Sequence, residues 1–243
     1  TLDSFYSAAD LKLSPSGDKL AFRCYKEDSL DSAEGLKVFD INSRKMLTLK
    51  SKVLVSGTLY CWLDNNNIVY YGSTGEKSDS IKMYKYNFES NQEEVYLESI
   101  QGYCTYMLPA GNGLVYLKEI GDGRELVYFD KSSGSSKVLS SNVESIYNAK
   151  FNLNTKELFF AGKEAGLETP ELYKISIKSG DVVRVTYDFP SSVEKESNLC
   201  MDKAGNVYFT AMQGVYMYNV MDQSVSLISG HTGKFNVYQD ASS

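Results

Sequence analysis

A histidine that could act as a general base, and a serine that it could activate, are the first candidates for chemistry in this chain. The 243 residues include one histidine, His231, in a Gly-His-Thr-Gly segment near the C-terminus. A Ser-His-Asp hydrolase would have to use this residue as its general base. The chain has no Gly-x-Ser-x-Gly segment, which is the turn that presents a nucleophilic serine in α/β-hydrolases. We therefore expect no catalytic residue of this type.

Four cysteines are the next candidates for chemistry: Cys24, Cys61, Cys104 and Cys200. Each lies inside an apolar run, and no two of them form a Cys-x-x-Cys pair. They could form two disulfides or hold a metal, or they could be small buried hydrophobic residues with free thiols. The isolated positions favour free thiols. With one histidine and scattered cysteines, we expect no metal and no cofactor.

Paired carboxylates are the third candidate, because a glycoside hydrolase needs two acids about 5 to 10 Å apart in a pocket. Acids at the ends of the inner strands inferred below are Asp10, Asp64, Glu144, Glu196 and Asp202. Asp64 and Asp202 fall in turns at the wrong end of their strands. Asp10, Glu144 and Glu196 remain, so a carbohydrate-binding or glycoside-active protein using a central pocket is kept as an alternative.

The elements that would position these residues repeat along the chain. Five aromatic residues each close an apolar triplet and lie 48, 46, 44 and 49 residues apart: Phe22, Tyr70, Tyr116, Phe160 and Phe209. We call them the anchors. A second aromatic series follows them at spacings of 45, 44, 45 and 43: Phe39, Tyr84, Tyr128, Tyr173 and Tyr216. Repeats of this length built from short β-type runs are typical of β-propeller blades.

Each repeat divides into four predicted strands. Nine residues before each anchor stands an apolar residue of the inner strand: Leu13, Cys61, Met107, Phe151 or Cys200. Turn-forming residues separate this strand from the anchor strand, and two further alternating strands follow. The repeats cover approximately residues 11–50, 59–98, 104–140, 147–187 and 198–229. We predict a single all-β domain over residues 1–243, a propeller of five four-stranded antiparallel blades. The tail, residues 234–243, resembles another inner strand, so an incomplete six-bladed ring is the alternative.

The first and fourth repeats carry a more specific pattern. LSPSGDKLAF followed by GLKVFDINSRKMLTL, and ELYKISIKSGDVVRVTYD, resemble the repeat of TolB-like propellers (WD40-like or PD40 repeats). The N-terminal propellers of prolyl oligopeptidase relatives are similar. The resemblance implies a propeller fold, a general binding role and a location in the bacterial cell envelope or exterior. It carries over no catalytic residue.

Charge and hydropathy limit the partners. The net charge is −6, and lysine and arginine are scattered without a basic stripe, so nucleic acid is not expected as a partner. No apolar run approaches the roughly 20 residues that span a bilayer. Either a signal or anchor was removed or there never was one, and a chain that begins at Thr1 without a methionine suggests trimming. From the TolB-like resemblance we expect the protein in the periplasm or on the cell surface of a bacterium.

The connections between the second and third strands are predicted to be long in four repeats, at residues 26–35, 72–80, 118–124 and 162–170. The fifth is predicted to be a tight Gln213-Gly214 turn. Because strands alternate in direction, these connections share one face with the starts of the inner strands. Loops on one face of a rigid scaffold are where binding residues concentrate.

The predicted long-loop face is acidic and bears aromatic residues. Its candidate binding residues are Glu27, Asp28, Asp31, Glu34, Glu76, Asp79, Tyr60, Trp62, Tyr103 and Tyr147. The acids would attract a basic partner, and the aromatic side chains would supply rigid contact area for a peptide or sugar. We predict a non-enzymatic protein- or peptide-binding scaffold. The alternatives are the carbohydrate-directed propeller and an extracellular sensory domain of a larger membrane protein.

Overall fold

The computed structural model describes residues 7–25, 33–47, 49–75, 81–98, 100–187, 189, 193–195 and 197–231. These residues form strands and no helix, so none of them forms a helix long and apolar enough to cross a membrane. The strands make five antiparallel sheets of four sequence-consecutive strands each. This is a β-propeller architecture, which confirms the predicted all-β fold with five four-stranded blades. The strand suggested for residues 234–243 lies outside the described residues.

The sheets follow one another along the chain. Sheet 1 contains β1 Ser7–Leu13, β2 Lys19–Tyr25, β3 Ala33–Asp40 and β4 Lys45–Leu47. Sheet 2 contains β5 Leu54–Trp62, β6 Asn67–Ser73, β7 Lys82–Asn87 and β8 Gln92–Leu97. Sheet 3 contains β9 Tyr103–Ala110, β10 Gly113–Ile120, β11 Gly123–Asp130 and β12 Ser135–Ser140. Sheet 4 contains β13 Val143–Asn152, β14 Glu157–Glu164, β15 Glu171–Ser176 and β16 Val182–Arg184. Sheet 5 contains β17 Cys200–Met201, β18 Val207–Ala211, β19 Gly214–Asn219 and β20 Ser224–Ser229.

The aromatic anchors explain why these runs form strands that pack. All five lie on the second strand of their sheet and are at most 6% exposed. In sheets 2, 4 and 5 the anchor pairs across the sheet with the aromatic residue of the second series, and the two rings stack. These pairs are Tyr70–Tyr84, Phe160–Tyr173 and Phe209–Tyr216, with ring centroids 6.2, 5.0 and 5.8 Å apart. In sheets 1 and 3 the register differs, because Phe39 pairs with Leu20 and Tyr128 with Val115.

Every sheet has two ends with different connections. We call the end with the first-to-second and third-to-fourth strand turns the turn end. The other end, with the second-to-third connection and the start of the first strand, is the loop end. At the turn end, side chains satisfy the backbone N–H groups of the turns, as Asp and Asn commonly do. For example, Asp64 Oδ1 accepts from the N–H groups of Asn66 and Asn67, each at 2.8 Å.

The third-to-fourth strand turns repeat one geometry in all five sheets. The last residue of the third strand accepts a hydrogen bond from a backbone N–H two or three residues later, and the residue four positions later has a left-handed backbone. The accepting residues are Asp40, Asn87, Asp130, Ser176 and Asn219. The left-handed residues are Arg44, Asn91, Gly134, Gly180 and Gln223, with φ between +52° and +84°. The turn end is therefore a set of closed, self-satisfied turns.

The chain divides into two compact units, residues 1–107 and 108–243. In the first unit, sheets 1 and 2 share a buried cluster in which Ala21 and Val38 pack with Tyr60, Trp62 and Tyr70. In the second, sheets 4 and 5 share a buried cluster that includes Phe159, Ala161, Leu172, Val207, Phe209, Tyr216 and Tyr218. These clusters provide the hydrophobic burial that holds neighbouring sheets together.

Two detailed expectations differ from the structure. The predicted long loop at residues 118–124 is wrong, because β10 and β11 pair to their ends and leave only a Gly121-Asp122 turn. The polar residues that suggested a loop are cross-strand partners in the hairpin. The predicted packing of the inner strand fails at Leu13, which is 58% exposed, whereas Cys61 and Met107 are buried.

Candidate functional site

The predicted binding residues separate into three groups. Glu27, Asp28, Asp31, Glu76 and Asp79 lie outside the described residues, and only the backbone of Glu34, in β3, is described. Tyr60 and Trp62 are buried. Tyr103 is 43% exposed and Tyr147 is half-buried, so these two reach the surface.

Tyr60 and Trp62 join the inner strands of sheets 1 and 2. The Tyr60 hydroxyl donates to the carbonyl oxygen of Asp10, and Trp62 Nε1 donates to that of Lys12 at 2.9 Å. In return, Lys12 Nζ donates to the carbonyl oxygens of Tyr60 at 2.7 Å and Thr58 at 3.1 Å. Burial lowers the pKa of the Lys12 ammonium. The hydroxyl of Tyr60 and the indole N–H of Trp62 both donate hydrogen bonds within the protein. These two residues therefore contribute to packing between the strands.

Arg23 reinforces the same junction from the second strand of sheet 1. It is 8% exposed, and its guanidinium donates to the carbonyl oxygens of Val55 and Gly57. Those carbonyls lie in or beside the stretch of β5 between Val55 and Tyr60, where pairing with β6 is interrupted. The buried cation therefore fixes an irregular backbone segment at the loop end of sheet 2.

Tyr103 stands at the start of β9 beside that segment. Its hydroxyl hydrogen-bonds Ser56 Oγ at 2.5 Å, and its ring meets Tyr71 edge-on with centroids 5.6 Å apart. Tyr71 is 1% exposed and gives the Tyr103 ring a fixed support. Leu54, two residues before Ser56 on β5, is 68% exposed. We call Leu54, Ser56 and Tyr103 the Tyr103 patch.

A glycine permits close contact between the two strands beside Leu54. A Cβ at Gly72 would lie 2.3 Å from the Leu54 carbonyl oxygen and 2.8 Å from a Val53 methyl carbon. Only glycine permits the two strands to approach this closely. The backbones of the paired strands β5 and β6 therefore approach closely at Gly72, beside the exposed Leu54 side chain. The Tyr103 patch thus combines an apolar side chain, a hydroxyl and a supported aromatic ring.

The second unit carries two aromatic residues at loop ends. Tyr147 is the unpaired residue of an irregularity in β13, between Ile146 and Asn148, and Lys195 Nζ lies 5.9 Å from its ring centroid. Tyr187, after β16, is 69% exposed, and the Arg184 guanidinium stacks 4.4 Å from its ring centroid. Tyr187 is not among the binding residues predicted above, although its position directly after the last strand of its repeat assigns it to the same predicted face.

Charges described at the loop ends are largely paired. Arg124 Nη2 lies 2.7 Å from Glu119 Oε1, and Lys163 Nζ lies 3.2 Å from Glu144 Oε1. Lys118 also pairs with Glu125 at 3.1 Å. Such exposed pairs contribute little to stability, but they neutralise one another locally. Other acids in these connections include the exposed Asp122 and Glu168 and those in the stretches at residues 27–34 and 76–79.

The carboxylates considered for glycoside chemistry have separate settings. Asp10 has a left-handed backbone at φ +56° in an irregular part of β1, and Glu144 pairs with Lys163. These two belong to different units, and Glu196 lies outside the described residues. In the described part of the chain, no three His, Cys, Asp or Glu side chains are grouped so as to hold a metal ion.

Similarity of the chain to known proteins is found among solved structures. No family model matches it, and no curated protein sequence matches it. Among solved structures it is similar to TolB from Acinetobacter baumannii, with 11% identity and a TM-score of 0.56 over 90% of this chain and 53% of that one. It is similar to the β-propeller domain of the Trilobed protease from Pyrococcus furiosus, with 16% identity and a TM-score of 0.63 over 91% and 71%.

A third similar structure is an oligogalacturonate lyase from Vibrio parahaemolyticus, with 14% identity and a TM-score of 0.59 over 98% of this chain and 69% of that one. At such identities the likeness concerns the fold. The chain spans about half the length of the TolB structure. The resemblance to TolB-like propellers suggested by the repeat is confirmed for the fold.

Proposed function

Because the chain has the TolB-like β-propeller fold, we propose that it is a non-enzymatic propeller domain that binds a protein or peptide at the loop ends of its sheets. We place it in the cell envelope or exterior of a bacterium. The acidic stretches at residues 27–34 and 76–79 attract a basic segment, and exposed aromatic residues anchor it.

The Tyr103 patch is the observation that carries this proposal. Binding hot spots are enriched in tyrosine and combine an apolar body with a polar group. Tyr103 is held by Ser56 and by the buried ring of Tyr71, so little side-chain freedom is lost when a partner binds. Leu54 adds exposed apolar area beside it.

The contrast between the two ends of each sheet supports the same placement. At the turn end, polar side chains are committed to their own turns, as Asp40 is to Ser43 N–H at 2.6 Å. At the loop end, Tyr103 and Leu54 expose side chains that the fold does not use fully. The turn end also exposes apolar side chains, such as Met221 at 86%, but its polar side chains are engaged in their own turns.

A peptide-display selection tests the proposal. The immobilised protein selects binders from a random 12-residue library, and affinities of the enriched peptides are measured by calorimetry. We expect peptides of net positive charge. Tyr103→Ala should weaken them about tenfold, the scale of a tyrosine hot spot, and Tyr103→Phe should weaken them less because the ring remains.

The matched control is Ile41→Ala at the turn end of sheet 1, since Ile41 is 40% exposed and Tyr103 is 43% exposed. This variant should bind as the parent does. Reversing the charges of Glu27, Asp28, Asp31 and Glu34 together should reduce affinity further. Unchanged affinity in both the Tyr103→Ala and charge-reversed variants would refute the proposal, as would selective binding of neutral oligosaccharides in place of peptides.

A further inference from the structure

The outermost strands of the five sheets differ in how well they are protected against pairing with another chain. An outer strand exposes unpaired backbone groups, and proteins protect such edges with charges, proline or short length. Strands β4 and β16 have three residues each and carry Lys45 and Arg184. Strand β8 carries Glu93 and Glu94, and β12 carries Lys137. Strand β20, Ser224–Ser229, has six residues and no charge or proline.

The side chains of β20 are also unusually exposed for its position in the repeat. In sheets 2, 3 and 5, the fourth strand contains one extra residue opposite the third strand. That residue is Tyr96 in β8, Leu139 in β12 and Ile228 in β20. Tyr96 is 5% exposed and Leu139 is 6% exposed, but Ile228 is 53% exposed. Its neighbour Leu227 is 55% exposed.

The sequence of β20 suits pairing with itself. In a two-fold contact, each edge strand lies antiparallel to its own copy, so any charge in the strand meets a like charge nearby. Each of the other four outer strands would incur this repulsion through Lys45, Glu93 and Glu94, Lys137, or Arg184. Ser-Val-Ser-Leu-Ile-Ser incurs none. Its serines are small, and its exposed leucine and isoleucine can be buried against the second copy.

We propose that β20 is a self-association surface. Two copies of the chain pair antiparallel through Ser224 to Leu227, the regular part of the strand before the extra residue Ile228, and form one eight-stranded sheet. Leu227 and Ile228 of each copy become buried at the contact. This surface lies on the outer strand of sheet 5 and is distinct from the loop-end docking proposed above, so the two can fail separately.

Sedimentation equilibrium of the whole 243-residue chain tests the proposal. The weight-average mass should rise from the monomer value of 27.2 kDa towards twice that value between about 1 and 300 µM, a range suited to small interfaces. Leu227→Lys introduces a like charge at the edge and should keep the protein monomeric throughout. Far-ultraviolet circular dichroism and thermal unfolding show that each variant is folded.

The matched control is Val138→Lys, because Val138 is an exposed residue of the outer strand β12, at 46%. It should associate as the parent does. A parent chain that stays monomeric at about 300 µM would overturn the proposal. So would an association that Val138→Lys weakens as much as Leu227→Lys.

A cross-linking variant gives a second readout that does not depend on a strong dimer. Ser226→Cys places a thiol near the two-fold axis of the proposed contact, and Ser136→Cys places one at a site on β12 that is also exposed. Under mild oxidation, Ser226→Cys should give a disulfide-linked dimer at least about fivefold faster than Ser136→Cys. Equal rates would count against pairing at β20, even if the chain associates.

Discussion

Two tyrosine hydroxyls show how similar residues come to have different roles. The hydroxyl of Tyr60 donates to a backbone carbonyl inside the protein, and its ring is fully buried. The hydroxyl of Tyr103 bonds a surface serine, and its ring is 43% exposed. A buried polar group needs an internal partner, whereas an exposed one can exchange its partner for a ligand. Tyr103 therefore suits binding and Tyr60 suits packing.

The sequence could not distinguish these roles. Tyr60, Trp62 and Tyr103 all fall at inner strands in the repeat, and all were candidates for the binding surface. Which of them is buried depends on contacts between strands that are far apart in sequence, such as Trp62 with Lys12, which are 50 residues apart. The sequence predicted that these aromatic residues lie at inner strands, but it did not predict which residues each of them contacts in the folded protein.

The four thiols provide a residue-level prediction. Burial raises the pKa values of Cys61 and Cys104 to about 12, so neither forms a thiolate near neutral pH. Cys24 is buried and Cys200 is partly exposed. Iodoacetamide at pH 8 should label Cys200 at least about tenfold faster than the other three, as measured by peptide mass spectrometry. Equal labelling of all four before addition of denaturant would contradict the described burial.

The turn-end carboxylates give a prediction about pH. Hydrogen bonds from Ser16 and then Ser14 lower the pKa of Asp18, and the hydrogen bond from Ser132 lowers that of Asp130. A lowered folded pKa means that the carboxylate's stabilising contribution is complete above the unfolded value near pH 4 and is lost as pH falls through the folded pKa.

Carbon-detected NMR titration checks both sites with crossed variants. Ser16→Ala should raise the pKa of Asp18 and leave that of Asp130 unchanged, and Ser132→Ala should do the reverse. The cause is local, because each serine donates directly to the neighbouring carboxylate. A pKa for Asp18 at or above its ordinary value in the parent chain would refute the assigned hydrogen bonds.

At the scale of elements, the shared geometry of the third-to-fourth strand turns could not be predicted from the sequence. All five sheets use the same geometry, with a left-handed residue four positions after the accepting side chain. Glycine occupies that position only at Gly134 and Gly180, and Arg44, Asn91 and Gln223 occupy it elsewhere. Because no single residue type marks the position, the shared turn emerges only from the backbone.

A glycine substitution tests this turn. A Cβ at Gly134 would meet no atom within 4 Å, and its φ is +67°. Gly134→Ala should therefore lower the free energy of unfolding by about 1 kcal/mol through backbone strain alone. The measurement is urea unfolding followed by far-ultraviolet circular dichroism, which reports the strands of both units. Gly230→Ala is the control, since that site also has open space and lacks a left-handed backbone. If Gly230→Ala lowered the free energy of unfolding as much as Gly134→Ala, backbone strain would not explain the effect.

The hairpin of sheet 3 shows why one loop was predicted wrongly. Lys118, Glu119 and Arg124 are polar and flank a Gly-Asp pair, which is typical of a loop. In the structure, Glu119 pairs with Arg124 and Lys118 with Glu125 as directly opposed residues of a regular ladder. Cross-strand ion pairs allow polar residues to continue a strand, so composition alone placed the loop boundary too early.

At the scale of the whole molecule, the fold was more predictable than the binding surface. The anchors repeat because each sheet must bury one large ring on its second strand, and all five are buried. The blade count follows from that repeat. The binding surface depends on which side chains neighbouring sheets leave exposed, and on acidic residues such as Glu27, Asp28 and Asp31 that lie outside the described residues.

The net charge of −6 leads to a prediction about salt. Attraction between exposed acids and a basic peptide is screened when the Debye length falls below the separation of the charges. Affinity for a selected basic peptide should fall at least about threefold between 50 and 500 mM NaCl, measured by calorimetry. The charge-reversed variant of Glu27, Asp28, Asp31 and Glu34 should lose most of this dependence. A salt-independent affinity in the parent would indicate that the acids do not contribute.

Hydrogen–deuterium exchange of the parent chain, with and without the tightest selected basic peptide, tests loop-end docking most directly. We expect slower exchange in segments covering residues 54–58 and 103–106, next to the Tyr103 patch. The turn-end segments at residues 40–44 and 87–91 should exchange at unchanged rates. Protection of the turn-end segments, with none around Tyr103, would contradict the account.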